Sequence, residues 1–304
     1  MRAESATTTP LSLPTWRRSP RFELEATVLE HRLVAFHEYE IVFHAPAIAE
    51  SARPGQFVEV LFGDNYAPLI RRPFSLYRVD QTAGTCAIVY LARGSFTSGL
   101  ARKQPGDAVS LLGPLGRPFH VEDRADLLHI LVAGGLGAPP LHFLATVLAH
   151  SGRNDRDQPR RPDRTERLVE DPIVVINAAR TESLLVGLTE FGALDVALHV
   201  LTDDGSCGVR GMATDLLRVV LEQNAERPRA IYACGPMAML RSVGEMAIAL
   251  GLPCQLSIET SMPCGIGLCQ GCAIPVRNSA MPHGHAYALA CMDGPVFEAR
   301  DLIW

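Results

Sequence analysis

The stretch LLHILVAGGLGAPPLHFLATVLAH, residues 127–150, decides the fold of this chain. Its first part, Leu127–Val132, predicts a buried parallel strand, and Pro140–His150 predicts a helix. The glycines and prolines between them mark a turn from strand to helix. Although Ile130–Ala149 is long and apolar enough to cross a bilayer, this punctuation favours a soluble α/β unit over a membrane span.

Downstream of this stretch, strand-like and helix-like segments alternate. Further strands are predicted at Ile173–Asn177, Asp195–Thr202 and Ile231–Cys234, and helices at Ala213–Gln223 and Met237–Ala249. Such alternation is typical of a parallel sheet with crossover helices. We therefore expect a parallel α/β domain over residues 123–252, with 152–171 as a charged loop insertion that has no assigned role.

Upstream of residue 123, short β-like runs are separated by Gly, Pro and Asp turns. The runs are Glu25–Leu29, Glu40–His44, Gln56–Leu61, Phe74–Val79, Cys86–Leu91 and Ala108–Leu112. Strands this closely spaced predict a small antiparallel β-barrel, which we place at residues 22–122. Residues 1–21 are polar and proline-containing, and we expect a flexible N-terminus there.

A cysteine-rich loop near the end of the chain reads CGIGLCQGC, residues 264–272, and is followed by one more cysteine at 291. Thiolates at this plant-type spacing hold a 2Fe–2S cluster. The predicted ligands are Cys264, Cys269, Cys272 and Cys291. We expect Gly265, Gly267 and Gly271 to supply the sharp backbone turns, because glycine enters positive φ without a Cβ clash. Residues 253–304 are accordingly expected to form a small C-terminal 2Fe–2S domain.

Three other uses of these cysteines remain open at this point. A structural zinc site is one, although zinc ribbons usually pair two short knuckles and Cys291 stands alone. A disulfide framework belongs to small secreted domains, whereas this chain has 304 residues and no secretory signal. A Rieske-type site would use His283 and His285, but four cysteines already complete a ligand set.

Composition excludes several classes of partner. The net charge is −5 and 20% of the residues are charged, so the chain carries no polybasic footprint for nucleic acid or an anionic membrane. Cysteines without an evident disulfide pattern, together with a cluster motif, indicate the reducing cytoplasm. We interpret Cys86, Cys207 and Cys254 as core thiols.

Four further motifs suit cofactors. In the barrel, Arg71–Ser75 combines arginine, an aromatic ring and a hydroxyl, which suits a flavin, and the backbone amides of Arg93–Thr97 suit a phosphate. The glycines of Ala133–Gly137 lie between strand and helix, where a helix N-terminus favours a pyrophosphate. Cys234-Gly235-Pro236 follows a later strand, at the edge where open α/β sheets bind ligands.

In combination these motifs resemble the ferredoxin reductase superfamily, in which a flavin lies on the barrel and a pyridine nucleotide on the sheet. With the cysteine loop added, residues 22–304 resemble the family of electron transfer subunits of NAD-dependent dihydroorotate dehydrogenase. The segments that carry this closer resemblance are 202–206 (TDDGS), 211–217 (GMATDLL), 234–240 (CGPMAML) and 292–297 (MDGPVF).

The resemblance implies three cofactors, namely FAD, a 2Fe–2S cluster and NAD(H). FAD would be bound by Arg72, Pro73, Phe74, Ser75, Leu76, Tyr77, Gly94 and Thr97. NAD would be bound by Gly134, Gly135, Gly137, Cys234, Gly235 and Pro236. Phe96 departs from the glycine that the family usually has in the FAD loop.

The resemblance also implies a function and a partner. Electrons would pass from the FMN of a catalytic dihydroorotate dehydrogenase subunit through the 2Fe–2S cluster and FAD to NAD⁺, in pyrimidine biosynthesis. The complex would be a heterotetramer, with no nucleic acid or membrane partner. This chain would supply no catalytic acid or base, and its cysteine loop would lie at or near the partner interface.

Two alternatives stay open from the sequence. One is the small subunit of an NADH-dependent ferredoxin:NADP oxidoreductase or of a sulfhydrogenase, for which Arg180 after the second strand would favour a 2′-phosphate. The other is a zinc-bearing scaffold without redox activity.

Overall fold

A computed structural model describes residues 20–63, 68–122, 124–151 and 172–304. The charged insertion at 152–171 lies outside these described residues. So does the predicted flexible N-terminus, apart from residues 20 and 21.

The N-terminal part of the chain is a closed antiparallel barrel of six strands. They are β1 (Phe22–Ala35), β2 (Glu38–His44), β3 (Phe57–Leu61), β4 (Arg72–Asp80), β5 (Thr85–Leu91) and β6 (Ala108–Leu115), in the order β1-β2-β5-β4-β3-β6. Two short helices, α1 (Pro46–Ser51) and α2 (Ser95–Leu100), lie between strands. Alternate apolar side chains such as Val58 and Val60 fill the interior. The predicted barrel is confirmed.

A seven-stranded sheet follows the barrel. Its strands are β7 (Leu128–Gly134), β8 (Ile173–Ala179), β9 (Ala197–Thr202), β10 (Val209–Arg210), β11 (Arg229–Cys234), β12 (Cys254–Ser257) and β15 (Val296–Glu298). The order is β10-β9-β8-β7-β11-β12-β15, and all neighbours are parallel except β12 and β15. The predicted parallel sheet is therefore confirmed, with an antiparallel edge strand that the sequence did not indicate.

Helices cover both faces of this sheet. They are α3 (Ala138–Ser151), α4 (Leu188–Gly192), α5 (Ala213–Gln223) and α6 (Met237–Ala249). Central strands β7 and β8 are buried along their whole length, because both faces pack against other elements. This explains why their sequences are continuous apolar runs.

The last fifty residues contribute strands to two different sheets. Strands β13 (Ala273–Arg277) and β14 (His285–Leu289) form a two-stranded sheet beside the cysteine loop. Strands β12 and β15, however, belong to the seven-stranded sheet. The domain boundary between residues 252 and 253 remains a prediction.

Helix α3 packs against barrel strand β4 and so joins the two large units. Phe143 of α3 lies in the core cluster of the barrel, and the Nδ1–H of His142 donates to the carbonyl of Tyr77 at 3.3 Å. The helix that follows the glycine-rich turn is thereby fixed to the strand that carries Arg72–Ser75.

Among the described residues, no helix is both long enough and apolar enough to cross a membrane. The apolar stretch at 130–149 divides into β7, a 3-10 turn at Gly135–Gly137 and α3, as its glycines predicted.

We expect Gly137→Ala to destabilise the protein by about 1–3 kcal/mol, since a Cβ at this position would overlap the carbonyl oxygen of Cys234. Chemical denaturation measures the change. Gly192→Ala is the matched control, because its Cβ meets nothing within 4 Å, and its stability should stay within about 1 kcal/mol of wild type. Equal stabilities of the two variants would contradict the packing at the glycine turn.

Candidate cofactor sites

The cysteine loop turns sharply at three residues. Gly265 and Gly267 have φ of +64° and +81°, as predicted for glycines at these positions. The third residue at positive φ is Gln270, with φ of +56°, whereas Gly271 is not in this region. The expectation for Gly271 was therefore wrong, and its neighbour makes the turn.

The four predicted ligands come together as two pairs. Cys264 and Cys269 interact through their side chains, and the Sγ atoms of Cys272 and Cys291 lie 3.3 Å apart. Cys272 and Cys291 are buried, whereas Cys269 is exposed and Cys264 is half-buried. The loop thus places one pair towards solvent and one pair inside the protein.

Backbone amides point at the outer pair of sulfurs. The amide of Cys269 donates to the Sγ of Cys264 at 3.4 Å, and the amide of Gly271 donates to the Sγ of Cys269 at 3.4 Å. Burial raises the pKa of Cys264, but the amides of Cys269, Ile266 and Leu268 outweigh it and lower that pKa to about 7. The loop therefore favours thiolate, which is the form that binds metal.

This arrangement fits a two-iron cluster, because each iron of a four-cysteine 2Fe–2S centre takes two thiolates. A single zinc ion requires four donors around one point. Within the described residues, no three Cys, His, Asp or Glu side chains are gathered in that way. All eight cysteines are free thiols.

The cysteine loop is seated on the barrel. A Cβ at Gly265 would lie 2.7 Å from Cγ of Glu59 and 2.8 Å from Cδ1 of Leu115, so only glycine fits there. Glu59 on β3 pairs with Pro73 on β4, within the predicted flavin segment. The side chain of Glu59 therefore lies between β4 and the start of the cysteine loop, next to Cys264.

Glu59 is a residue that sequence reasoning missed. It lies on β3 between Val58 and Val60, and it is fully buried under the cysteine loop. Neither carboxyl oxygen has a hydrogen-bond partner in the described structure. Burial raises the pKa of Glu59 to about 8, so the carboxyl is largely neutral at pH 7.

Two segments predicted to bind FAD lie side by side on the barrel. The guanidinium carbon of Arg72 is 5.6 Å from the ring centroid of Phe96, and the rings of Phe74 and Phe96 stack at 6.2 Å. Phe96, where the family usually has glycine, is buried and supports both Arg72 and Phe74. Phe96 therefore packs on the protein side of the segment Arg72–Ser75.

The exposed loop beside Phe96 has a defined hydrogen-bond pattern. The Oγ1 of Thr97 accepts hydrogen bonds from the amides of Arg93 and Gly94, at 2.9 and 3.1 Å. A Cβ at Gly94 would meet nothing within 4 Å, so a bound group can approach the backbone there. These residues fit a phosphate-bearing ligand, although two of the amides expected to bind it are bonded to Thr97.

The structure places two further predicted FAD residues, Leu76 and Tyr77, inside the protein. Leu76 is fully buried in the barrel core. Tyr77 is also buried and packs on His142, with ring centroids 4.7 Å apart. Both remain predicted flavin contacts, and the contacts that the structure gives them lie within the protein.

The predicted nucleotide site is formed by two touching turns at the carboxyl edge of the sheet. Strands β7 and β11 are neighbours, with Ala133 opposite Cys234. A Cβ at Gly134 would lie 2.8 Å from Pro236, and one at Gly235 would lie 3.0 Å from Gly134. Only glycine permits this close approach of the two turns.

Gly135 completes the predicted nucleotide turn. It has φ of +54°, and an added Cβ would face open space. A ligand can therefore approach its backbone, as a pyrophosphate requires.

The thiol of Cys234 is buried, and burial strongly raises its pKa, so it is protonated. Its backbone carbonyl rather than its sulfur faces the glycine turn. Among the predicted core thiols, Cys86 and Cys254 are buried as expected, whereas Cys207 is only half-buried.

Comparison with known families gives a match to a family model. The model described as the iron-sulfur cluster binding domain of dihydroorotate dehydrogenase B matches residues 259–303. This range contains all four predicted cluster cysteines.

Two curated relatives are similar over most of their length, and both are named "Dihydroorotate dehydrogenase B (NAD(+)), electron transfer subunit". The protein from Geobacillus kaustophilus (strain HTA426) is 38% identical over 278 residues, which cover 91% of this chain and 97% of the relative. The protein from Desulforamulus reducens is 32% identical over 281 residues, covering 92% and 98%.

Solved structures share the fold. A chain from the structure of an NADH-dependent reduced ferredoxin-NADP oxidoreductase has a TM-score of 0.74 and 26% identity, covering 92% of this chain and 90% of that one. A ferredoxin NADP⁺ reductase from Neisseria gonorrhoeae has a TM-score of 0.56 and 16% identity, covering 75% and 92%.

We expect Cys269→Ser to abolish the 2Fe–2S cluster, taking bound iron from about two atoms per chain to nearly none. Iron and sulfide analysis, with visible absorbance, measures this, while bound FAD should remain. Cys207→Ser is the control, since Cys207 lies outside the cysteine loop, and it should retain its iron. Equal iron in the two variants would contradict the ligand assignment.

Proposed function

Because the chain belongs to the family of electron transfer subunits of dihydroorotate dehydrogenase B, we propose that it carries electrons from a catalytic dihydroorotate dehydrogenase subunit to NAD⁺. It is the NAD-linked oxidoreductase subunit of that enzyme and acts in pyrimidine biosynthesis. Its cofactors are a 2Fe–2S cluster, FAD and NAD(H). The single observation that carries this proposal is the seating of the paired cysteines on the barrel beside the strand of the flavin segment.

The chemistry explains why three sites are needed on one chain. When bound, flavin exchanges a hydride with nicotinamide and single electrons with an iron–sulfur cluster, so it connects two-electron and one-electron carriers. The protein supplies position, insulation from water and electrostatic tuning. No side chain of this subunit acts as a catalytic acid or base in the proposal.

Each group of residues has a separate task. Cys264, Cys269, Cys272 and Cys291 ligate the cluster. Arg72, Pro73, Phe74, Ser75, Leu76, Tyr77, Gly94 and Thr97 bind FAD, and Gly134, Gly135, Gly137, Cys234, Gly235 and Pro236 bind NAD. The arginine neutralises phosphate charge, and the glycine turns bring backbone amides to a pyrophosphate. The buried thiol of Cys234 contributes through its backbone.

The partner binds at the cysteine loop in our proposal. Leu268, between two cluster ligands, is 80% exposed, and the neighbouring Cys269 is exposed too. With Ile266, which is 40% exposed in the same loop, Leu268 places apolar side chains at the surface next to the redox centre, which suits a protein interface. The partner is the catalytic subunit, which carries FMN, and the complex is a heterotetramer.

We also propose a cytoplasmic location. The eight cysteines are free thiols, and the cluster needs four of them in that form. Both facts suit a reducing compartment.

A second candidate is the small subunit of an NADH-dependent ferredoxin:NADP oxidoreductase. A chain from such an enzyme matches this one over 92% of its length at 26% identity. Arg180, immediately after β8, would suit a 2′-phosphate. A preference for NADPH over NADH in the reduction of FAD would favour this alternative.

We expect the purified subunit, loaded with FAD and cluster, to reduce ferricyanide or a dye with NADH. On its own it should not oxidise dihydroorotate, because that chemistry belongs to the catalytic subunit. Adding the catalytic subunit should restore dihydroorotate-dependent reduction of NAD⁺. A flavin-loaded protein that is inert to NADH would overturn the proposed function.

Leu268→Asp should prevent binding of the catalytic subunit, because it places a charge in the proposed apolar interface. We expect at least a tenfold loss of dihydroorotate-dependent NAD⁺ reduction, with NADH-dependent dye reduction unchanged. Val209→Asp is the control, since Val209 is 66% exposed on β10 at the far edge of the sheet. Co-elution of the Leu268→Asp variant with the partner would place the interface elsewhere.

A further inference from the structure

A closed ring of side-chain contacts joins the barrel to the α/β unit. We propose that this ring fixes the distance between the flavin and nicotinamide sites, and that Arg32 is its positioning residue. The inference rests on the proposed function, since it concerns the NADH half of the reaction.

The barrel part of the ring is centred on Glu40 of β2, which is fully buried. Two arginines reach its carboxylate, with the Nε of Arg32 at 2.8 Å from one oxygen and the Nε of Arg78 at 2.8 Å from the other. These side chains come from three strands, β1, β2 and β4. A buried carboxylate paired in this way is expensive to leave unpartnered, so the arginines are held in place.

Arg32 continues across the boundary between the units. Its terminal nitrogen lies 3.2 Å from Oε1 of Glu190 on α4. Nearby, the backbone amide of Phe36 donates to the carbonyl of Ser183 at 3.3 Å. The hairpin of β1 and β2 is thereby fixed to the segment between β8 and β9.

The ring closes through aromatic side chains. Phe191 follows Glu190 on α4 and is fully buried, with its ring centroid 5.1 Å from that of His142 on α3. His142 packs on the aromatic ring of Tyr77 and donates a hydrogen bond to its carbonyl. The residue after Tyr77 is Arg78, which pairs with Glu40 and so closes the ring of contacts. The sequence of contacts therefore passes through β4, α3, α4, β1 and β2 and ends where it began.

The ring is positioned to control cofactor geometry. Tyr77 lies two residues after Ser75, at the end of the predicted flavin segment. His142 lies in the first turns of α3, shortly after the glycine turn of the predicted nucleotide site. A shift of α3 against β4 would therefore move the two sites relative to one another, and a displacement of about 1 Å can slow a reaction step by up to 10²-fold.

Arg32 is the member best suited to a test. Its side chain is 51% exposed, whereas Glu40 and Phe191 are buried and their removal threatens folding. Arg32→Gln removes the ionic contacts of Arg32 and leaves the pair of Arg78 with Glu40. The variant should fold, because Arg78 still pairs with the buried Glu40 and the pair of Arg32 with Glu190 is partly exposed.

We expect Arg32→Gln to slow NADH-dependent bleaching of the flavin about tenfold, chiefly in kcat rather than in KM for NADH. Reoxidation of the photoreduced holoprotein by ferricyanide, which uses no NADH, should stay within about twofold of wild type. Amide hydrogen exchange in α4 should rise, and this readout needs no turnover. Glu190→Gln should reproduce these effects, and the double variant should be no worse than either single one.

Arg241→Gln is the matched control. Arg241 is 57% exposed and pairs with Glu245 at 2.8 Å within α6, so its loss should leave both steps and the exchange in α4 unchanged. The inference is overturned if Arg32→Gln matches Arg241→Gln in the NADH step and in exchange, or if both half-reactions slow equally. A wild-type protein inert to NADH would instead count against the proposed function, while the exchange measurement would still decide whether the ring joins the units.

Discussion

The packing of α3 against β4 is the interaction on which the arrangement of the three proposed cofactor sites depends. The first part of β4 carries Arg72–Ser75, and Pro73 pairs with Glu59, against which the cysteine loop is seated. Further along the same strand, Tyr77 contacts His142 of the helix that follows the glycine turn. A single strand therefore lies next to both the cysteine loop and the helix after the glycine turn. In the proposed function, relative movement of the units would alter the distances between the cofactors.

Two buried glutamates of the barrel show different ways of accommodating a carboxyl group without water. Glu40 is paired with two arginines, whose opposite charges and hydrogen bonds offset the cost of burying its carboxylate. Glu59 has no hydrogen-bond partner among the described residues, and burial raises its pKa to about 8. It therefore lies against the cysteine loop mainly as a neutral group. The paired glutamate joins the units, whereas the unpaired one fills the space beneath the loop.

The sequence predicted the barrel, the parallel strands and the cysteine positions because each depends on local patterns. Strand alternation, glycine turns and thiol spacing are all visible over a few residues. The antiparallel strand β15 was missed because its pairing with β12 joins segments forty residues apart. The role of Glu59 was missed for a related reason, since the loop that buries it lies about two hundred residues downstream. Likewise, Gly271 was expected to make a turn that Gln270 makes, because spacing alone does not assign φ to a particular neighbour.

The two cysteine pairs differ in exposure, so one side of the proposed cluster would face the protein and the other side would face solvent. Cys272 and Cys291 are buried beside the body of the protein, whereas Cys269 and the neighbouring Leu268 face solvent. A cluster that exchanged electrons only with cofactors of its own chain would not need to be near the surface. Exposure also has a cost, because exposed thiolates are open to oxidation. A second protein that covers Leu268 would shield this pair and bring its own redox centre close to it. The exposed end of the loop at Leu268 and Cys269 is therefore a reason to regard this chain as one part of an electron transfer complex, in which the cluster would connect the two subunits.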